Sequence, residues 1–217
     1  AAPRTHVEAP LTTTGYADRP PPLTYPYAYV DRPLVLAEGM LSPWVGLALH
    51  HASGLGGGDQ FAGTADVSVD YGITDFLEVG LDVAPIALAP SAEYYDPSLR
   101  ATVRFFSGEL EMGLRVEGQL PFRTGSSFLL RTAIPILGHL GGIGRIDLAP
   151  QFAFHFRDPI ATAFSVPLAV SFNIGDYFFL GAHSGFGFSL DLVDETAYAP
   201  LGAFVGGTIP GELGPIG

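Results

Sequence analysis

The chain is 217 residues long, 47% hydrophobic and only 15% charged, with no cysteine and a formal charge of −12. That composition leaves no disulfide framework and no thiolate metal site, and without a basic stripe it excludes nucleic acid as a partner. No apolar run reaches the roughly 18 residues of a membrane-spanning helix, because the longest candidate, 128–144, is interrupted by Arg131, Pro135, His139 and several glycines.

All ten basic residues are arginine, so the lysine that commonly solubilises exposed sheets and edges is missing. The length fits one domain with a large closed sheet. The chain begins Ala1-Ala2-Pro3, the expected start of a secreted protein whose leader has been removed. Residues 1–33 are proline-rich and unpatterned, and Arg19-Pro20-Pro21-Pro22 and Tyr25-Pro26-Tyr27 read as an extended polyproline-type lead-in. This segment is either a flexible extension or a strap that lays Tyr25, Tyr27 and Tyr29 on the body of the protein or on a neighbouring copy, proline lowering the cost of ordering it.

The remainder, 34–217, reads as strands. From Met40, Leu41, Pro43, Val45, Leu47 and Leu49 alternate with Ser42, Trp44, Gly46, Ala48 and His50. After a glycine-rich loop, 51–63, comes the clearest unit of the chain. Ala65, Val67, Val69 and Tyr71 oppose Asp66, Ser68 and Asp70, and Leu77, Val79, Leu81 and Val83 oppose Glu78, Gly80 and Asp82. Strict period-2 alternation on both sides of a turn is a β-hairpin signal, with Gly72, free to take positive φ, and Asp75 as the expected turn residues. Residues 87–97 read as a long connection. Arg100, Thr102 and Arg104 then alternate with Leu99, Ala101, Val103 and Phe105, and after a turn at Ser107-Gly108, Glu111, Gly113, Arg115 and Glu117 alternate with Leu110, Met112, Leu114 and Val116. Arg131, Arg145, Asp147, Gln151, His155, Ser165, Ser171, Asn173, Gly181 and His183 continue the less apolar face, opposite Leu130, Ile146, Phe152, Phe164, Val170 and Leu180. Residues 138–144 read as a connection longer than a short turn. Last come Leu201, Ala203 and Val205 beside Gly202 and Gly206.

Alternation alone fits both a soluble sandwich and a membrane barrel. Three features favour the barrel. The less apolar face is built from Gly, Ala, Ser, Asn and arginine–carboxylate sets, which suits a crowded lumen better than open water. The strands are near the 9–11 residues that cross a bilayer at a tilt. The connections tend to alternate short and long, as in outer-membrane barrels, and aromatics near strand ends (Tyr71, Phe105, Phe122, Tyr177, Phe178) suit interfacial girdles. The predicted fold is all-β, a transmembrane antiparallel up-and-down β-barrel of about ten to twelve strands.

The hairpin Tyr71-Gly72-Ile73-Thr74-Asp75-Phe76-Leu77-Glu78-Val79-Gly80-Leu81 resembles those that recur in bacterial outer-membrane β-barrel proteins of porin-like type, and the lead-in Asp31-Arg32-Pro33-Leu34 through Gly39 is similar to that of uncharacterised members. The resemblance covers 31–210 as a pattern and carries no catalytic signature. It implies outer-membrane location, with residues 1–33 in the periplasm, contact with outer-membrane lipid and lipopolysaccharide, and passive permeation. Such proteins usually finish on a strand with a terminal aromatic, whereas this chain stops at Gly-Pro-Ile-Gly. The expectation is therefore either further closing strands or closure at about ten.

Facing the less apolar side inward places Asp66, Asp70, Glu78, Asp82, Glu111, Glu117 and Asp147 in the lumen with Arg100, Arg104, Arg115, Arg131 and Arg145, and Arg157 near a rim. The lumen is then nearly neutral, and neighbouring strands can pair through the planar guanidinium. This ladder either stiffens the wall or forms a charged constriction. Catalytic signals are thin. His183 and Ser184 are adjacent and so face opposite ways, and His155 and Asp147 lie eight positions apart. His50, His51 and Asp59 read as a polar loop rather than a metal site, and Gly54–Gly58 lacks the lysine and helix of a phosphate loop. The expected function is a narrow, non-enzymatic, cofactor-free channel for ions or small solutes. The alternative is a structural barrel that self-associates laterally through the small outward residues Ala182, Ser184 and Ala203, its N-terminal strap reaching a neighbour.

Overall fold

The computed structural model describes residues 26, 28–54, 60–83, 86–89, 93–94, 96–175, 177–190 and 197–207; of these, 47–54, 60–62, 86–89, 93–94 and 198 are described in their backbone only. Tyr25 and Tyr27, the side chains of His50 and His51, and Asp59 lie outside what is described. A single 3-10 turn, Tyr29–Asp31, precedes fourteen strands: β1 (Leu41–Gly54), β2 (Gln60–Thr74), β3 (Leu77–Asp82), β4 (Ile86–Ala89), β5 (Glu93–Tyr94), β6 (Ser98–Phe106), β7 (Leu110–Gln119), β8 (Leu129–Ala133), β9 (Ile136–Leu140), β10 (Gly144–Leu148), β11 (Gln151–His155), β12 (Ala161–Ile174), β13 (Phe178–Ser189) and β14 (Tyr198–Gly207).

Four of the gaps interrupt one continuous stave rather than separate two. β3 and β4 both pair with β2, and β5 and β6 pair with β4 and β3 in turn. β8 and β9 both pair with β7, while β10 and β11 both pair with β12. Each of these gaps contains a proline, namely Pro85, Pro97, Pro135 and Pro150, a residue with no N–H to give to a ladder. At two of them the neighbouring stave adapts, the Gly113 amide donating to Pro135 O and the Ile134 amide to Pro150 O.

The described strands thus make ten staves, each antiparallel to the next, and β14 pairs with β1 from Ala48↔Phe204 to Gly54↔Tyr198 while β1 also pairs with β2. The sheet closes on itself at ten. Over that span the two outermost edges satisfy each other, as crossing a bilayer with strands demands. At a rise of about 3.3 Å per residue, the 15 residues of β2 are long enough to cross an apolar band about 25 Å tall even when strongly tilted.

Burial is inverted relative to a soluble protein. On the outer face Val45 is 72% exposed, Phe105 62% and Val205 66%, whereas on the inner face Thr102 and Ser171 are wholly buried, Glu111 is 4% exposed and Glu78 8%. An apolar outside and a charged inside identify a transmembrane antiparallel up-and-down β-barrel. The end aromatics Tyr71, Phe105, Phe122, Tyr177 and Phe178 are all exposed, as girdle residues must be.

Four local expectations are corrected. The expected loop 51–63 is strand at both ends, β1 running on to Gly54 and β2 beginning at Gln60. Residues 87–97 hold β4 and β5, which extend the hairpin beyond the Pro85 and Pro97 breaks. The connection at 138–144 is only the turn 141–143, with Gly141 at φ 58° and Gly142 at φ 67°, because β9 runs on to Leu140. Gly72 does not take positive φ. It is glycine because the N-terminal segment presses on it: an added Cβ would come within 2.7 Å of Leu36 O and also strike Ala37 O.

Candidate functional site

The segment that presses on Gly72 is a strap, 28–39, that winds round the inner wall near the short-turn end. Its contacts follow the strand order. Gly39 N donates to Gly72 O on β2, and Leu36 N donates to Glu78 Oε2 on β3 at 2.9 Å. Leu34 N donates to Glu111 Oε2 on β7 at 3.1 Å. Arg145 Nη1 on β10 donates to Arg32 O, His139 Nδ1 on β9 sits 2.7 Å from Val30 O, and Val30 N reaches Asn173 Oδ1 on β12. A strap inside a barrel has no ladder of its own, so wall side chains take its backbone groups. Its apolar side chains Val30, Leu34, Val35 and Leu36 are buried, Leu34 and Val35 against Leu137. Burial of each contributes about 1.5–3 kcal/mol. Gly113 leaves the space that Leu34 fills, an added Cβ falling 3.0 Å from Leu34 Cδ2.

The strap ends on an aromatic cluster. Tyr29 stacks on Phe179 of β13 at 4.1 Å, Trp44 of β1 stacks on Phe179 at 5.6 Å, and the Arg145 guanidinium lies 4.7 Å over the Tyr29 ring. Phe204 of β14 packs edge-on to Phe179 and stacks on His183. The docked-strap alternative therefore describes Tyr29, on this barrel. Phe179 and Phe204 were not expected inside. The run Phe178–Phe188 is apolar on both parities, so period 2 cannot tell its faces apart; the flanking glycines were the usable signal. An added Cβ at Gly181 would strike the Phe204 ring, and one at Gly206 the Phe179 ring.

Above the strap the charged residues stand in rows. Asp70, Gly80, Arg100, Glu117 and Arg131 are in register on five successive staves. Arg100 Nη2 reaches across Gly80 to both oxygens of Asp70 at 2.6 and 2.7 Å, and Arg131 Nη1 donates to Glu117 Oε1. In the next row, Glu78, Thr102 and Arg115 are in register, and Arg115 Nε donates to Thr102 Oγ1 at 3.1 Å. Closer to the short turns Arg104 Nη1 donates to Glu111 Oε2 at 2.9 Å and its Nη2 to Asp75 O, while Arg145 grips Asp147 through Nε and Nη2. Asp82 stands between Ser68 and Ser98, and Asp66 faces Gly46. Four of the five expected arginines thus hold a carboxylate. Arg115 is the exception: among the described residues no carboxylate comes within ion-pair distance of it.

Cavities lie between these rows. One of about 330 Å³ has Tyr29, Arg32 and Pro33 of the strap on one side and Trp44, Asp66, Asp70, Arg100 and Arg115 on the others. A second, of about 500 Å³ near the long-loop end, is lined by Asp82, Asp96, Glu117, Gln119, Arg123, Arg131 and His155. Asp96, 3% exposed, pins the 120–126 connection there, its Oδ1 accepting from the amides of Phe122 and Arg123. Burial works to raise its pKa, but the Ser126 hydroxyl, the Arg123 amide and charge and the Phe122 amide outweigh it and hold the carboxyl below the usual range. Among the described residues no group of His, Asp and Glu has the arrangement of a metal site. His183 packs on Phe204, so it stands with the aromatics.

No protein-family model matches the sequence, and comparison with curated proteins gives no match. Among solved structures the chain is similar to CymD, a monoaromatic hydrocarbon channel, with a TM-score of 0.43 and 12% identity over 75% of this chain and 57% of that one. It is also similar to OmpT, an outer membrane protein of Vibrio cholerae, with a TM-score of 0.37 and 10% identity over 76% and 63%. Ail, the attachment invasion locus protein of Yersinia pestis, gives a TM-score of 0.29 and 11% identity over 79% and 99%. The chain spans about six-tenths of the length of the first two. Likeness at this level leaves the fold resting on the strand pairing and the inverted burial described above.

Proposed function

We propose that this protein is a bacterial outer-membrane barrel whose lumen is a narrow, non-enzymatic passage for ions or small polar solutes, restricted at its short-turn end by the strap 28–39. The observation that carries the reading is the inner wall: cavities of about 500 and 330 Å³ are bounded by alternating arginines and carboxylates, inside a barrel whose outer face is apolar. Charged rings around a constriction select solutes by sign and hydration, and ten staves allow only a narrow bore, between the filled barrel of eight and the open channel of sixteen or more. Short turns face the periplasm in barrels of this kind, which assigns the N-terminal extension to that side and the long loops to the lipopolysaccharide leaflet.

Planar-bilayer conductance of the purified protein tests this. Discrete small steps are expected, larger when Glu78→Ala and Glu111→Ala together release the strap, and altered in ion selectivity by Arg104→Ala. A silent bilayer for wild type and the strap-release variant alike would sink the channel. It would leave the structural alternative, in which the exposed Ala182↔Ala203 pair and neighbouring Ser184 form a lateral contact between copies.

A further inference from the structure

We propose that the 330 Å³ cavity is a binding site for a small zwitterion, a molecule carrying a carboxylate and an ammonium group a few bonds apart, the chemical class of a free amino acid. It rests on the passage reading for access, and it names the solute class that this passage would hold.

The argument starts from which charges in the cavity are already satisfied. Arg100 is taken by Asp70, Arg145 by Asp147 and Arg32 O, and Glu78 accepts the Leu36 amide. Three of its charges have no ion-pair partner among the described residues: Glu78, whose Oε2 is taken by the strap, and Arg115 and Asp66, of opposite sign, which are open to a ligand. Among the described residues Arg115 makes one hydrogen bond, through Nε to Thr102 Oγ1, and its terminal nitrogens have no acceptor there. Asp66, on β2, has no hydrogen-bond or ion-pair partner among the described residues. Both line the same cavity, yet they do not form an ion pair with each other. Both are half-buried, where a charge attracts an opposite one more strongly than in open water, and each can take a ligand group of opposite sign. A carboxylate matches the fork of Arg115 in two places, and an ammonium group matches Asp66.

One ligand bearing both groups fits better than two separate ions. The cavity's other charges are already paired or hydrogen-bonded, so a ligand with net charge would leave one of the two orphans unmet and add uncompensated charge. A zwitterion meets both and changes the local charge by nothing. The volume lies at the lower end of the roughly 300–1,000 Å³ of small-molecule sites. The acidic side is edged by Trp44: a Cβ built on Gly46 would fall 2.7 Å from Trp44 Nε1 and 2.6 Å from Asp66 Oδ1. Gly46 therefore leaves the space in which the indole N–H and the carboxylate sit side by side at the cavity edge.

Trp44 is the single tryptophan of the chain, so all tryptophan fluorescence comes from the edge of this cavity. The full chain, folded in detergent, is titrated with glycine, and separately with acetate and methylammonium, the two halves of the same charge pattern. A saturable change in Trp44 emission is expected with glycine at concentrations at least about tenfold below either half. Asp66→Asn and Arg115→Gln should each weaken it about tenfold or more, the usual consequence of losing a charge-assisted bond, and Arg115→Lys should restore much of the loss. Strand circular dichroism certifies that each variant is folded; should Arg115→Gln fail that check, Asp66→Asn and the glycine-against-halves comparison decide. A glycine curve that superimposes on that of acetate, or folded variants that respond like wild type, would overturn the site. Binding without conductance would sink the passage and leave the site standing, and conductance without a glycine response would do the reverse.

Discussion

Replacing Gly80 by alanine asks whether the inner ladder depends on a missing side chain. Gly80 stands in register between Asp70 and Arg100. An added Cβ would strike Asp70 Oδ1 and come within 2.6 Å of Arg100 Nε and 2.9 Å of Arg100 Cγ. The guanidinium must swing aside, and both bonds from its Nη2 to Asp70 are lost or stretched. A hydrogen bond to a charged group contributes about 1.5–3 kcal/mol, while breaking a fully buried pair costs about 3–5 kcal/mol. The two side chains here are 22% and 18% exposed, so the lower range applies. In the other direction, alanine restricts the unfolded chain more than glycine and gains about 0.4–1 kcal/mol. The electrostatic loss wins, and Gly80→Ala is expected to destabilise by about 1–2 kcal/mol. Reversible urea unfolding in lipid vesicles, followed by strand circular dichroism, measures it. Gly138→Ala is the control, since nothing lies within 4 Å of its added Cβ, and it should be neutral or slightly stabilising. With Arg100→Gln already present there is no pair to split, so adding Gly80→Ala should cost little more. Equal midpoints for Gly80→Ala and Gly138→Ala, or simple additivity with Arg100→Gln, would refute the reasoning.

Glu111→Ala removes the partner of Arg104, His139 and the Leu34 amide at once. It should cost about 3 kcal/mol and speed hydrogen exchange at the Leu34 amide more than at Gly72; unchanged exchange at Leu34 counts against the strap's anchorage. Phe179→Ala, at a position 1% exposed and stacked on Tyr29 and Trp44, should cost about 3–5 kcal/mol and shift Trp44 emission, whereas an unshifted spectrum would place Trp44 elsewhere. The Asp96 carboxyl is held below its ordinary pKa, so its anchorage of the 120–126 connection is complete above about pH 4 and is lost as pH falls through the lowered value. Amide protection at Phe122 and Arg123 should therefore fall on acidification, and Asp96→Asn should make it weaker and independent of pH in that range.

Much of the barrel was legible because period 2 survives in most strands. The parity of Asp66 to Asp82 and of Arg100 to Glu117 assigns both faces of four staves without any knowledge of their neighbours. Sign order pointed to pairing between neighbouring staves, whereas Arg100 passes over Gly80 to Asp70 two staves away. What escaped had no local signal. Glu78 and Glu111 are recognisable as inward acids, but their use as acceptors for Leu36 and Leu34 depends on a strap 42 and 77 residues away. The stave through Pro150 keeps its parity and reads as one strand, whereas those through Pro97 and Pro135 read as a strand beside a connection, because proline interrupts the ladder locally while the neighbouring stave carries it on. Gly80, Gly181 and Gly206 read as neutral small residues, although each is a space occupied by a side chain from the next stave. Asp66 and Arg115 belonged to the expected set; that neither has an ion-pair partner among the described residues is a matter of register and reach.

The strap gives the molecule an unusual history as it is made. Residues 28–39 leave the ribosome before any wall exists to receive them, yet the Val30 amide binds Asn173, 143 positions later, and the Val30 carbonyl meets His139, 109 positions later. Contacts that span so much chain carry the largest loop-closure entropy and form late. The start of the strap is thus among the last parts to find its place: a half-curled sheet still lacking β12 and β13 can hold Leu34, Leu36 and Gly39 but has no seat for Tyr29 and Val30.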